Sequence, residues 1–363
     1  MQVTSVELQN FLSYEKAKVT FNGGLSVVYG ENAGGKTNLI DSIYLCSVGR
    51  SSRHNRDKDL IKWGTENGAK VTVNVKKRFS KHTIELYIDP QGKKHILVDK
   101  LPLSKIGELM GILNVVFFSP QEMRLIKESP QDRRRFMDIG ISQQCKTYFY
   151  ALQRYNALLA QRNKILKTYK GRPALKDMLK IVDTDFIKVA SYIIRERKKF
   201  VEELTPVAED RHNKLTSGKE KLSLVYETEN VDFNNLESSL ATIMEGAREN
   251  DERLEYSTIG PHRDDIKISA SGIDLRRFGS QGQQRSAVLS LKLAEIATFE
   301  KRTGETPILL LDDVMSELDQ TRREALFNAI EGIQTIITTT DRVEFPVVTY
   351  YHVKDKQVAR EQE

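Results

Sequence analysis

Eight consecutive residues, Gly30-Glu31-Asn32-Ala33-Gly34-Gly35-Lys36-Thr37, fit the pattern G-x-x-x-x-G-K-[ST] in full. An apolar, β-rich run, Leu25 to Tyr29, precedes them, and Leu39, Ile40, Ile43 and Tyr44 then mark one face of a helix. Strand, glycine-rich turn and helix in this order commit the chain to an α/β phosphate-binding unit. The glycines let the backbone wrap closely, so successive N–H groups of Gly30, Glu31, Asn32, Ala33, Gly34 and Gly35 can face phosphate oxygens. Lys36 is placed to reach the β and γ phosphates, and the Thr37 hydroxyl to hold Mg²⁺.

A second segment answers the first. Ile308-Leu309-Leu310-Leu311-Asp312-Asp313 is an apolar strand that ends in two carboxylates. Acids at a buried strand tip are costly unless they serve a cation. Asp312 is the expected Mg²⁺ residue, acting through the ion's water, and Asp313 the expected catalytic residue that polarises an attacking water.

The two segments are 275 residues apart between Thr37 and Asp312, so the chain must fold back on itself. What lies between changes character. Val71 to Phe79 alternates, Thr83 to Ile88 resembles its hairpin partner, and Asp89-Pro90-Gln91-Gly92 makes a turn. Leu113 to Phe118 is a further strand, as is Gln334 to Thr339. From Asp132 to Leu204 the apolar spacing is helical, with Gly171-Arg172-Pro173 dividing two long helices. The predicted division is therefore a split head, 1–120 and 260–363, around a helical arm, 121–259. A chain of 363 residues is long enough for such a two-part build. The net charge of +6 and pI of about 9.0 lean toward polyanionic partners. Cys46 and Cys145 are far apart, which argues against a disulfide framework or a zinc site and for a reducing cytoplasm. The first residues lack a signal-peptide layout, and no apolar run approaches about 18 residues, so neither export nor a membrane span is expected.

Ser316-Glu317-Leu318-Asp319 follows the paired aspartates and resembles the D-loop of ABC-type ATPases. Phe278-Gly279-Ser280-Gln281-Gly282-Gln283-Gln284-Arg285-Ser286 resembles their signature motif. With Phe118-Ser119-Pro120-Gln121-Glu122, Arg133-Arg134-Arg135-Phe136-Met137-Asp138, Gly260-Pro261-His262-Arg263-Asp264-Asp265 and Thr338-Thr339-Thr340-Asp341, the combination resembles the RecF family of the SMC branch. The resemblance runs from about Asn10 to Asp341. It implies an α/β fold, an ABC/SMC-like P-loop ATPase head of mixed sheets and flanking helices with an inserted α-helical arm domain. It implies ATP and Mg²⁺ as cofactors and a head-to-tail, ATP-driven homodimer. In that dimer Ser280 and the Gly282 backbone of one copy would meet the γ-phosphate held by the other, and Gln121 would be the Q-loop residue. The implied work is recombinational repair, replication restart and the SOS response. The implied partners are double-stranded DNA, single-strand/double-strand junctions, RecO, RecR and RecA. Two positions depart from the family: Leu12 stands where an arginine is common, and Asp41 replaces a more usual glutamate, with little expected consequence. Asp313 is one methylene shorter than the glutamate of many fast ABC ATPases, so slow hydrolysis, a timer rather than a motor, is expected.

Candidate DNA contacts are Arg133 to Arg135, Arg195 with Arg197, Lys198 and Lys199, Lys76 with Lys77 and Arg78, and Arg276 with Arg277. His262 reads either as a catalytic base or nucleotide sensor, or as a structural residue where the chain re-enters the head. Two legs of about 50 residues reach at most about 75 Å, too short for chromosome-spanning SMC arms, and no CxxC zinc hook is present. An ABC transporter ATPase subunit would carry Leu-Ser-Gly-Gly-Gln wording and a switch histidine, where this chain has Ser-Gln-Gly-Gln-Gln and Thr340-Asp341. A P-loop kinase is argued against by the signature and D-loop.

Overall fold

The structure is a computed structural model that describes residues 1–315, 318–342 and 348–361. In chain order it begins with β1 (Gln2–Phe11), β2 (Tyr14–Thr20), β3 (Leu25–Gly30), α1 (Lys36–Val48), β4 (Ala69–Lys76), β5 (Lys81–Ile88), β6 (Lys94–Val98), β7 (Leu101–Pro102) and β8 (Val115–Phe118). The middle holds α2 (Arg124–Lys127), α3 (Pro130–Gln144), α4 (Lys146–Thr168), α5 (Leu175–Leu215), β9 (Leu222–Glu227), α6 (Leu236–Gly246), α7 (Arg248–Leu254), β10 (Asp265–Ala270), β11 (Ile273–Asp274) and α8 (Leu275–Phe278). The last part holds α9 (Gln281–Thr303), β12 (Ile308–Asp312), α10 (Gln320–Ala329), β13 (Thr335–Thr339), β14 (Val348–Lys354) and β15 (Gln357–Arg360).

The chain divides into two compact units. The first comprises Met1–Met123, Asp210–Glu220 and Arg285–Glu363, and the second Arg124–Glu209 and Lys221–Gln284. This differs from a linear cut at 120 and 260 by three residues at the first boundary and in two larger places. Residues 260–284 group with the helical unit because β10 pairs antiparallel with β9, Asp265 opposite Glu227. The last turns of α5 group with the head, where His212 Nδ1 meets Ser290 Oγ of α9 at 3.0 Å.

The first unit holds two six-stranded sheets, ordered β2-β1-β4-β5-β6-β7 and β15-β14-β3-β13-β12-β8. In the first sheet Val71, Val73 and Val75 of β4 are buried and the residues between them half-buried, as the period of two requires of a sheet with one face inward. In the second, β14, β3, β13, β12 and β8 run parallel. Every residue of β8, β12 and β13 is buried, which is why those segments read as unbroken apolar runs. Helix α1 touches strands of both sheets and is buried on nearly all sides.

In the second unit the helical periodicity resolves into three helices rather than two. The break at Gly171-Arg172-Pro173 falls between α4 and α5. A further break falls at Cys145, whose extended φ of −141° separates α3 from α4 while the apolar spacing continues across it. Helix α5 runs past Leu204 to Leu215 with Pro206 inside it. The unit is not purely helical either: β11-β10-β9 form a three-stranded sheet.

Candidate functional site

The parallel order of the second sheet in the first unit gathers the chemistry-bearing strand ends. Register places Leu311 beside Phe118, Asp312 beside Thr338, Thr339 beside Tyr29, and Gly30 beside Val353. The ends of β3, β12, β13 and β8 therefore open on one edge, where open α/β sheets bind ligands. The residues of the glycine-rich turn and the acidic strand meet there. Thr37 Oγ1 donates to Asp312 Oδ1 at 2.9 Å, and Thr338 Oγ1 donates to the same oxygen at 2.7 Å. Asp312 is buried, and burial raises its pKa above the ordinary carboxylate value; the Thr338 and Thr37 hydroxyls and the charge of Arg53 work the other way.

The glycines have a steric reason to be glycines. Gly30 has φ 147°, and a Cβ there would lie 2.2 Å from the Val353 carbonyl oxygen. Gly35 has φ 116° and a Cβ there would lie 2.8 Å from the Tyr14 hydroxyl. Ala33 adopts φ 61° without that freedom. Lys36 Nζ folds back across the turn and donates to the carbonyls of Gly30 at 2.7 Å and Glu31 at 2.8 Å. Burial lowers its pKa, and Asp313 and Asp312 oppose that shift. Asp313 is exposed, has φ 53°, and its N–H donates to the Thr338 carbonyl at 3.2 Å and hydroxyl at 3.0 Å.

These residues fit a Mg²⁺-triphosphate. The turn is a cradle that side chains would fill, its lysine is parked on carbonyls it can leave, and the metal side offers hard oxygens from Thr37 and Asp312. Mg²⁺ held by one or two protein oxygens takes its remaining ligands from phosphate and water.

Gln121 lies in the single turn Pro120–Met123 after β8, exposed at the same sheet edge. Its neighbour Glu122 is tied to buried Lys292 of α9 at 2.7 Å. Thr338, in Thr338-Thr339-Thr340-Asp341, and Asp41 were marked in the sequence by the resemblance, and Arg53 was not. Thr338 is a site residue because β13 runs beside β12. Arg53 is exposed on the turn after α1, and in that turn Ser51 and Ser52 donate to Asp41. For Arg53, a basic Ser-rich turn after the phosphate-loop helix was the available sequence signal. Leu12 has φ 48° and its N–H donates to the Leu60 carbonyl at 2.8 Å.

Signature residues Phe278 to Gln284 belong to the second unit, and Arg285 and Ser286 to the first. Ser280 is exposed and precedes α9. Its N–H donates to Gln283 Oε1 at 2.9 Å while its Oγ accepts from the Gln283 N–H at 3.2 Å. This is a reciprocal capping box. Oγ serves as the acceptor, so the hydroxyl proton stays free to donate outward. Gly282 lies in the first turn of α9, half-buried. Of the D-loop, Ser316 and Glu317 lie outside the described residues. Asp319 caps α10 by accepting from the Arg322 N–H at 2.9 Å.

Two of the proposed DNA contacts are corrected. Arg133 is buried and paired with Asp265, at 2.5 and 2.9 Å. Arg197 is buried between Asp138, Asp264 and the Pro261 carbonyl. Neither can face a phosphate. Arg134 is half-buried and donates to the Asp264 carbonyl, and Lys198 pairs with Glu202. Arg135, Arg195, Lys199, Lys76, Arg78, Arg276 and Arg277 remain exposed. The same network accounts for Gly260-Pro261-His262-Arg263-Asp264-Asp265. His262 Nε2 faces the Ser257 carbonyl at 2.9 Å and so carries the proton, leaving Nδ1 to accept from the Tyr155 hydroxyl at 2.6 Å. Burial lowers the His262 pKa. Both ring nitrogens are used inside the second unit, which gives His262 a structural place.

The comparisons with known proteins agree with this geometry. Residues 2–357 match the family described as the RecF/RecN/SMC N terminal domain. The DNA replication and repair protein RecF of Agathobacter rectalis is 40% identical over 363 residues, covering 99% of both chains. A solved structure of the recombination mediator protein RecF with ATP, in the RecFOR pathway, is 34% identical, with a TM-score of 0.92, covering 99% of this chain and 97% of that one. The Smc head domain of Pyrococcus furiosus, 18% identical with a TM-score of 0.58, shares the fold. These likenesses do not favour a transporter subunit, and among the described residues no helix is long and apolar enough to cross a membrane. By full-length similarity and by an ATPase-head fold with its motifs in order, the chain belongs to the RecF family of DNA replication and repair proteins, within the RecF/RecN/SMC group.

Proposed function

We propose that the chain is an ATP-dependent DNA-binding switch of recombinational repair. It would dimerise on ATP, hold duplex DNA or a single-strand/double-strand junction, and with RecO and RecR promote RecA loading. The observation that carries the reading is the bond from Thr37 to Asp312, which joins the phosphate loop to the acidic strand in one oxygen-lined site. When bound, ATP with Mg²⁺ supplies the triphosphate charge and the hard cation. Lys36, which donates to the Gly30 and Glu31 carbonyls, would turn to phosphate oxygens instead. Thr37 and Asp312 would hold the cation, Asp313 would orient and polarise the attacking water, and Gln121, at the same edge, would sense occupancy. Ser280, exposed and with its oxygen used as an acceptor by the Gln283 N–H, would donate its hydroxyl proton to the phosphates held by a second copy. The Gly282 N–H and the positive end of α9 add to that grip.

Light scattering with ATP and Mg²⁺ tests the reading, comparing wild type with Lys36→Met and Ser280→Arg. A mass that doubles in wild type and stays monomeric in both variants is expected. A monomer at saturating ATP in wild type overturns the shared site. The short Asp313 side chain supports slow hydrolysis, and a DNA-stimulated turnover in the hundreds per second would sink that part.

A further inference from the structure

Strands β4 and β5 are joined by the turn Lys77-Arg78-Phe79-Ser80, closed by a bond from the Lys77 N–H to the Ser80 carbonyl at 2.8 Å. Strands β6 and β7 are joined by Asp99 and Lys100 alone, with φ of 53° and 67°. Two left-handed residues in a row are what a two-residue hairpin turn needs, and aspartate tolerates that conformation. Strand β6 runs antiparallel to β5, with Ile84 opposite Val98, so both turns lie at one end of the first sheet. His82 stands between them, half-buried.

Ser80, His82 and Asp99 form a relay. His82 Nδ1 lies 2.8 Å from Asp99 Oδ2, and His82 Nε2 lies 2.9 Å from Ser80 Oγ. The other Asp99 oxygen accepts from the Thr83 N–H at 2.8 Å, and the Asp99 N–H donates to the Thr83 carbonyl at 2.9 Å. The carboxylate is thereby fixed against β5. The His82 bond, then the Thr83 N–H, hold its pKa below the ordinary carboxylate value, so it is ionised and only accepts. Nδ1 of the neutral imidazole therefore carries the proton, and the Nε2 lone pair is left to face the Ser80 hydroxyl. Nucleophile, base and orienting acid stand in the order that activates a hydroxyl. Ser80 is exposed, as are Arg78 and Lys81 on either side of it and Lys76 opposite Lys81.

We propose that Ser80 is a base-activated nucleophile that takes an acyl group from small acyl phosphates, with His82 as the base and Asp99 as a positioning residue. Oγ attacks the acyl carbon, and the hydroxyl proton passes to His82 Nε2 as the Oγ–C bond forms. The C–O bond to phosphate then breaks, and its electron pair leaves with the phosphate. His82 returns the proton to that leaving group, so the products are a serine ester and hydrogenphosphate. The cations select the donor: Lys76, Arg78 and Lys81 favour an anionic leaving group and the oxyanion of the tetrahedral intermediate. None of the nucleotide-site residues takes part.

Incubation of the full chain with acetyl phosphate, followed by peptide mass spectrometry, tests this. Wild type is expected to gain an acetyl group on Ser80 that neutral hydroxylamine removes, as it removes an ester and not a lysine amide. Ser80→Ala should lose that ester. His82→Gln should slow its formation by about 100-fold or more, the share of a general base. Asp99→Asn should slow it by about tenfold or more, and asparagine suits the same left-handed turn, so the hairpin is kept. The nitrogen NMR spectrum of His82 should show the proton on Nδ1 in wild type and lose that preference in Asp99→Asn, which a merely structural aspartate would not cause. The double variant His82→Gln with Asp99→Asn should be no slower than His82→Gln alone, because Asp99 acts through His82. Acetylation confined to lysines, Ser80 labelling as fast in His82→Gln as in wild type, or losses that multiply in the double variant overturn the proposal.

Discussion

Asp312 carries two hydroxyl donors on one oxygen and a pKa raised by burial. Mg²⁺ needs the ionised carboxylate, so protons compete with the metal at a higher pH than for an ordinary aspartate. Isothermal titration of Mg²⁺-nucleotide is expected to show affinity falling as pH drops through that raised value, and Asp312→Asn to remove the pH dependence along with most of the affinity. The His262 pKa is shifted the other way, yet it too costs the protein at low pH. Its folded pKa lies below the unfolded one, so the unfolded chain takes up the proton first and stability is lost as pH falls below about 6.5. Urea midpoints against pH should lose that slope in His262→Gln. Tyr155→Phe leaves Nδ1 without its donor, which should cost about 1–3 kcal/mol. A lone histidine in a sequence gives no such partners; Tyr155 is 107 residues away.

Elements decide what a motif is for. The phosphate loop was fully legible, because strand, glycines and helix are contiguous and the conformations they require are local. Gly30→Ala puts a Cβ against the Val353 carbonyl at a strained φ, and should lose nucleotide binding with about 1–3 kcal/mol of stability. That contact comes from β14, which the alternating pattern did not reveal; nor did it reveal β1, β2 or the β9–β11 sheet. Ser280 was legible as a donor to phosphate, and its bonds with Gln283 add a helix cap while leaving its hydroxyl proton for that role. Ser280→Ala should therefore cost about 1 kcal/mol in thermal unfolding, and nucleotide-driven dimerisation should fall further than that loss explains. Arg197 was legible only as a charge on a basic helix. In the folded second unit it satisfies Asp138 and Asp264, and Arg197→Met should destabilise by about 3–5 kcal/mol in chemical denaturation.

Across the whole molecule, the cations that stay exposed define a test of DNA binding. Titrations on duplex DNA should weaken with salt, and charge reversal at a residue that touches phosphate, among Arg135, Arg195, Lys199, Arg276 and Arg277, should reduce the log–log slope by about 1. Reversal at buried Arg133 should instead unfold the second unit. The sequence by itself determined the phosphate loop, the acidic strand, their order and the family, because each is written in contiguous residues whose spacing obeys local geometry. The tertiary structure alone decided which distant side chains share a proton or a charge: Thr37 with Asp312, His262 with Tyr155, Asp41 with the turn bearing Arg53. Those pairings depend on sheet register and on how a helix end folds back. Both are fixed by burial of the surrounding chain, and neither leaves a periodic mark along it.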